Sequence, residues 1–365
     1  MQRTAVTIAA LVLLLSGGGA PAIPNPQPGV QATSFSSQIE ALSEPGGYFD
    51  TDNLISNERS YLEVLPDLRR HGVSGGAYLG VGPDQNFTYI AAVKPAVAFI
   101  VDIRRDNMLL HLLFKALFES SRTRVEYLSQ LMGRAVPTDL ETWRNAPLER
   151  IVTHVENAPL DGKSIGALRK RIDEGIGRYG VTLSSEDRAT IERFHRRFID
   201  AGLGLRFQST GRPVQTHYPT YRELLLEKDP DGQPGNYLAS EPSFQFIKDL
   251  QQRDLVIPVV GDLGGPRAVA AVAAHLAARK ERVSAFYTSN VEFYLFNSGR
   301  FPAFVNNLAK LPRAPKSVII RSFFQRYAWP GGGSASRLQP VGDLLDGYEK
   351  GRFRYYSELM DGAAR

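Results

Sequence analysis

Three stretches of the chain carry residue types and spacings suited to binding chemistry. In Tyr78–Asn86 (YLGVGPDQN), Gly80 and Gly82 bracket a turn between a short apolar run and a helix start. Glycines there let the backbone approach a ligand closely, and the free amides of a helix start favour a negative group. Asp102 closes the apolar run VAFIV, where a carboxylate can accept both hydroxyl protons of a ribose. Gly261-Asp262 closes LVIPVV, where an Asp can accept from an exocyclic adenine amine. A further polar group, Tyr287, Asn290, Glu292 and Tyr294, follows the run RVSAFY. Tyr287, Asn290 and Glu292 are the candidates for catalysis, with Glu292 as a base a few residues beyond a strand end. Ser289 or Asn290 equally suits a helix cap.

Other chemistry finds less support. The absence of cysteine excludes a disulfide framework, a thiolate metal site and a cysteine nucleophile. His71, His111, His154, His195, His217 and His275 are scattered, with no pair at metal-ligand spacing, so no metal site is expected. Gly72-Val73-Ser74-Gly75-Gly76 matches a hydrolase nucleophile string. That elbow needs a strand before the serine and a helix after it, whereas here a helix is expected before and a strand after.

Those residues depend on elements to position them. From about Phe49 the pattern changes type every 10 to 20 residues. Helical patterns cover 57–71, 85–93 and a strongly apolar segment from Asp106; strand-like runs cover 77–81 and 97–101. The alternation resumes with a helix at 241–253, a strand at 255–260, an Ala-rich helix from Pro266, and strands at 282–287 and 317–321. Continuous apolar strands joined by helices predict an α/β fold with a doubly wound, mostly parallel sheet covered on both faces. Residues 121–240 contain no strand run and are read as a helical insertion or cap between the second and third strands. Helices are expected there at 122–132, 140–155, 164–178 and 185–201, the last with Ser184 and Asp187 as a capping box. Gly331-Gly332-Gly333-Ser334 reads as a flexible connection.

In that order, the Gly80-x-Gly82 turn, Asp102 and Asp262 resemble the cofactor half of class I S-adenosylmethionine-dependent methyltransferases, over about 57–120 and 241–325. The resemblance implies a Rossmann-like sheet and an S-adenosylmethionine pocket at the strand ends. Gly80 and Gly82 would flank the methionine moiety, Asp102 the ribose and Asp262 the adenine. Asp84, where that family often has a third glycine, joins the expected cofactor loop. Residues 286–292 fall where the family often positions its substrate. The chain departs from the pattern at Tyr78, where an acidic residue is usual, and it lacks an Asn-Pro-Pro-Tyr motif. A nicotinamide reading fits less well, since its third glycine would fall at Gln85. The strings GGAYLGVGPDQNF, PVVGDLGGP and SAFYTSNVEFYLF also resemble a family of uncharacterised bacterial proteins.

The chain has 365 residues, 43 Lys+Arg against 38 Asp+Glu, and 43% hydrophobic residues, which bounds it to one large or two modest globular domains. A net charge of +5 is too mild to indicate nucleic acid. Arg169-Lys170-Arg171 and His195-Arg196-Arg197 stand beside Asp173, Glu174, Glu192 and Asp200, the pattern of a solvated helix face. Arg3, the apolar run Ala5–Leu15 and the small residues Ser16–Ala22 have the three-part form of a secretory signal peptide, with cleavage expected after Ala22. As a helix that run spans about 16 Å, too short for a membrane anchor. The expected order is a signal peptide at 1–22, a linker at 23–50, sheet halves at 51–120 and 241–365, and the helical segment between them. Export conflicts with a cofactor made in the cytoplasm. Two functions therefore stand, each with a small-molecule ligand: a methyltransferase-like protein whose acceptor the sequence does not name, or an exported non-catalytic binding protein on the same fold.

Overall fold

The computed structural model describes residues 34–324 and 333–361. The signal-peptide reading, residues 23–33 of the expected linker and Gly331-Gly332 lie outside them. The chain begins with α1 (Phe35–Leu42), capped by Ser34. Then come a 3₁₀ turn (Arg59–Leu62), α2 (Leu65–His71), β1 (Ala77–Gly80), α3 (Gln85–Val93) and β2 (Val97–Asp102). Seven helices separate β2 from the next strand: α4 (Arg105–Ser120), α5 (Arg124–Leu131), α6 (Leu148–Asn157), α7 (Gly162–Arg178), α8 (Ser185–Ala201), α9 (Tyr221–Leu226) and α10 (Glu241–Gln252). The chain closes with β3 (Val256–Val260), α11 (Ala268–Ala278), β4 (Val283–Ser289), α12 (Val291–Asn297), α13 (Phe301–Lys310), β5 (Arg313–Phe324), β6 (Ser334–Pro340), α14 (Val341–Glu349) and α15 (Glu358–Asp361).

The fold is α/β, with a six-stranded, mostly parallel sheet in the order β3-β2-β1-β4-β5-β6. The first five strands run parallel, with Leu79 opposite Phe99 and Phe286, and β6 returns antiparallel to β5. β1, β2 and β3 are buried along nearly their whole length, which explains their unbroken apolar runs. Pro258 is tolerated in β3 because β3 is an edge strand, with a strand partner on one side only. Helix α4 is buried from Asn107 to Phe118 because it packs against β2 and β3 and also against α7, α8 and α10. A helix covered on every side is apolar all round.

Several expectations change. The described part of the supposed linker, 34–50, holds α1 and an extended stretch bonded along the free edge of β3, where Glu44 N–H donates to Val260 O. The apolar face of α1 (Phe35, Ile39, Leu42) is buried, and Lys115 lies over the Phe35 and Tyr179 rings. The expected helix over 57–71 breaks into a 3₁₀ turn and α2, the latter closed by Gly72 at φ +62°. The expected helix at 140–155 begins only at Leu148. Strand β6 has no sequence counterpart. Its run SASRLQP lacks an apolar block, and it forms because β5 supplies hydrogen bonds along its whole length. Among the described residues no helix is long and apolar enough to cross a membrane.

One ion pair fastens β5 to α12. Arg321 and Glu292 are both fully buried; Arg321 donates twice to Glu292 (2.7 and 3.1 Å) and once to Gln339 of β6 (2.6 Å). Removing one member strands the other charge, whereas removing both strands no charge and leaves only the neutral Gln339 and Thr288 to find partners. Arg321→Met is expected to lower the unfolding free energy by about 3–5 kcal/mol, and Glu292→Leu/Arg321→Met to regain most of it. Urea unfolding checks this; a single variant within about 1 kcal/mol of wild type contradicts it.

Candidate functional site

The carboxyl ends of β1 to β4 meet beneath the segment Phe49–Glu58 and enclose a cavity of about 210 Å³. Between β1 and β4 the strand order reverses, the place where open α/β sheets hold ligands. Gly82 follows β1, Asp102 ends β2, Gly261-Asp262 follows β3, Tyr287 and Ser289 end β4 and Asn290 follows it; all line the cavity. Phe49, Thr51, Asn57, Phe207, Asn290 and Tyr294 also border a wider outer cleft. Phe49 and Tyr294 stand edge to face at 4.8 Å where the two spaces join.

The expected cofactor residues divide. Gly82, Asp102 and Asp262 line the cavity; Gly80 and Asp84 do not. A Cβ on Gly80 would lie 1.9 Å from Asn86 Oδ1, so this glycine makes room for Asn86. Asn86 in turn donates to Val81 O (2.8 Å) and Pro83 O (2.7 Å) and accepts from the Tyr78 hydroxyl (2.8 Å), tying the turn from inside. Tyr78, out of pattern for a methyltransferase, is thus a brace for the loop. Asp84 turns away into the helical segment, where the hydroxyls of Tyr221 (2.6 Å) and Tyr237 (3.2 Å) donate to it.

Asp102 is clasped by Arg104. The Arg104 backbone N and Nε donate to Oδ1 (2.9 and 3.1 Å), and Nη2 donates to Oδ2 (2.9 Å). Arg104 Nη1 also reaches Thr51 O and Asp52 O, which fastens the covering segment to the end of β2. Asp262 accepts from Gly264 N (2.7 Å) and Arg300 Nη1 (2.5 Å). Its own N–H donates to Glu44 Oε1, while Glu44 Oε2 caps the approach to α11 by accepting from Arg267 N and Ala268 N.

Among the catalytic candidates, Tyr287 and Asn290 line the cavity. Glu292 does not; it is consumed by the buried pair with Arg321, which removes it as a free base. Besides Asp102 and Asp262, a third carboxyl group lines the cavity, that of Glu58, which is 1% exposed. Its Oε1 accepts from the hydroxyls of Tyr287 (2.7 Å) and Ser289, and its Oε2 from Ser322 (2.5 Å) and Gln85 Nε2 (3.1 Å). Burial holds its pKa above the ordinary carboxylate range, and the four donors oppose that rise. Ser289 reaches Glu58 from a left-handed backbone conformation (φ +52°) that non-glycine residues rarely adopt. From Ser322 a chain of hydroxyls runs through Ser336 (3.2 Å) and Ser60 (3.0 Å) to Ser334 (2.7 Å) at the outer cleft.

In the sequence Glu58 falls only within the helical pattern of 57–71. Its partners come from positions 85, 287, 289 and 322, so no local spacing marks it. Ser74 is exposed in the loop between α2 and β1 and forms no elbow. The basic runs are largely paired: Arg169 and Arg196 both face Glu192, and Lys170 faces Glu174.

A family model described as a domain of unknown function, DUF7790, matches residues 54–141 and 195–349. The chain belongs to that family. Glu58, Gln85, Asp102, Asp262 and Tyr287 fall within the matched segments. Residues 142–194, with α6, α7 and the first part of α8, lie between those segments. No curated protein matches the chain.

Two buried groups near the glycine turn titrate in opposite senses. Burial raises Asp84 from 3.8 to about 6, partly offset by the Tyr221 and Tyr237 hydroxyls. Burial lowers His111 to about 4, against the pull of its Nε2–H bond to Gly82 O (2.9 Å). A raised acid loses its stabilising contribution as pH climbs from about 4 to 6. A depressed histidine loses its contribution as pH falls from about 6.5 to 4. Each shift corresponds to about 3 kcal/mol. Relative to wild type, Asp84→Asn is expected to gain about that much stability between pH 4 and 7. His111→Gln should lose a similar amount over the same interval. Unfolding free energies measured across this range check the signs; profiles parallel to wild type contradict them.

Proposed function

We propose that the cavity is a nucleoside-cofactor site and that the protein is methyltransferase-like, with S-adenosylmethionine as the cofactor. The observation that carries this reading is the convergence of Gly82, Asp102 and Asp262 on one cavity where the strand order reverses. The order β3-β2-β1-β4-β5 with an antiparallel last strand supports reading the sheet as doubly wound and Rossmann-like.

The residues fit the nucleoside half better than the methionine half. Asp102 retains acceptor capacity, since Arg104 supplies three donors to a carboxylate with about four lone-pair sites. In this reading Asp262, which lines the cavity, would accept from the adenine amine. Gly80 and Asp84 serve the protein's own packing. About 210 Å³ is also below the usual 300–1,000 Å³ for ligand pockets, so a whole cofactor would extend into the outer cleft. In this arrangement the acceptor enters from the outer cleft past Tyr294 and Asn290.

A second reading, an exported binding protein without transfer chemistry, draws support from the Arg104 fork, which already neutralises the ribose-binding carboxylate, and from the signal-like N-terminus.

Calorimetric titration with S-adenosylmethionine and S-adenosylhomocysteine tests the proposal. Micromolar binding is expected, with Asp102→Asn weakening it by about 1–3 kcal/mol through lost charge-assisted hydrogen bonds. No binding at millimolar ligand removes the cofactor reading. Binding that ignores Asp102→Asn removes Asp102 from the site.

A further inference from the structure

The charges that line the cavity do not cancel. Asp102 is matched by Arg104 and Asp262 by Arg300, each in direct contact. Glu58, the remaining charged residue of the lining, has no cationic partner among the described residues; its four partners are neutral donors. Those donors favour the ionised form. Gln85 Nε2 can only donate, and it donates to the Tyr287 hydroxyl as well, which leaves the tyrosine hydrogen for Glu58. The cavity therefore holds one carboxyl group with no cation against it, in surroundings where an unmatched charge is costly.

A second observation lies beside it. Gln85 is 5% exposed and lines the cavity, and its carbonyl oxygen Oε1 is buried with no hydrogen-bond partner. Turning the amide over would aim that oxygen at the Glu58 carboxylate, so the orientation is fixed by its neighbours. A buried acceptor left without a donor is costly unless something supplies one. A carboxyl group without a cation and an unpaired acceptor side by side describe the complement of an N–H-bearing cation.

We infer that the cavity takes its small molecule through a protonated amine, with Glu58 as counter-charge and Gln85 Oε1 as hydrogen-bond acceptor. The inference rests on the cavity being the ligand site; within the nucleoside reading, the amine is the α-ammonium of the methionine moiety. That group would then be held by a residue from the covering segment and by the first turn of α3, while the Gly80 turn holds only itself together.

The test compares S-adenosylhomocysteine with 5′-methylthioadenosine, which keeps the nucleoside and lacks the amino-acid end. Butylammonium, with butanol as control, supplies the cation without a nucleoside. Wild type is expected to prefer S-adenosylhomocysteine at least tenfold, and Glu58→Gln to reduce that preference to about threefold or less. If Glu58→Gln does not fold, Gln85→Met, which removes the acceptor, is expected to reduce the preference several-fold. An unchanged preference in these variants overturns the inference and leaves the nucleoside reading in place. If neither nucleoside binds while butylammonium shifts wild-type NMR signals more than those of Glu58→Gln, the inference stands and the nucleoside reading falls. If none of the probes binds, the inference falls as well.

Discussion

A carboxylate placed in a protein interior without a cation has to be held by donors, and the donors must come from wherever the chain can bring them. Glu58 imposes that constraint here. Its four partners arrive from the first turn of α3, the end of β4 and the interior of β5, so the covering segment is fixed to three separate elements through one side chain. The left-handed backbone at Ser289 is a local cost of bringing one of those donors into reach. The hydroxyl chain from Ser322 to Ser334 extends the same network to β6.

The rest of the site is arranged around that fixed point. Arg104 joins the covering segment to the end of β2, and Glu44 joins the stretch after α1 to the β3 end and α11. The polar ends of the strands are thus held apart by side chains that satisfy one another. On the opposite side of the glycine turn, Asp84 and the Tyr221 and Tyr237 hydroxyls connect the turn to the helical segment, while His111 holds Gly82 from α4. The loop after β1 is therefore positioned from both sides, and the space it leaves is narrow.

Much of the scaffold was legible in the sequence because it rests on local signals. The buried strands at 97–102 and 256–260 announce themselves as unbroken apolar runs, and α8 begins at the capping box formed by Ser184 and Asp187. Strand β6 was not legible, since its pairing is supplied by β5 and its own run carries no apolar block. Asp102 and Asp262 could be placed at the cavity because strand ends in an open sheet face one way. Glu292 was misjudged for a related reason: being near a strand end does not reveal that a fully buried arginine from β5 stands opposite. Glu58 was missed because its environment is assembled wholly from distant residues.

A crystal structure of the protein grown with S-adenosylhomocysteine tests the central claim most directly. The account predicts ligand density over the ends of β1 to β4, with an amine nitrogen within hydrogen-bonding distance of Gln85 Oε1 and the ribose hydroxyls at Asp102. Density elsewhere on the molecule, or a ligand seated in the cavity with its amine turned away from Glu58 and Gln85, would contradict it.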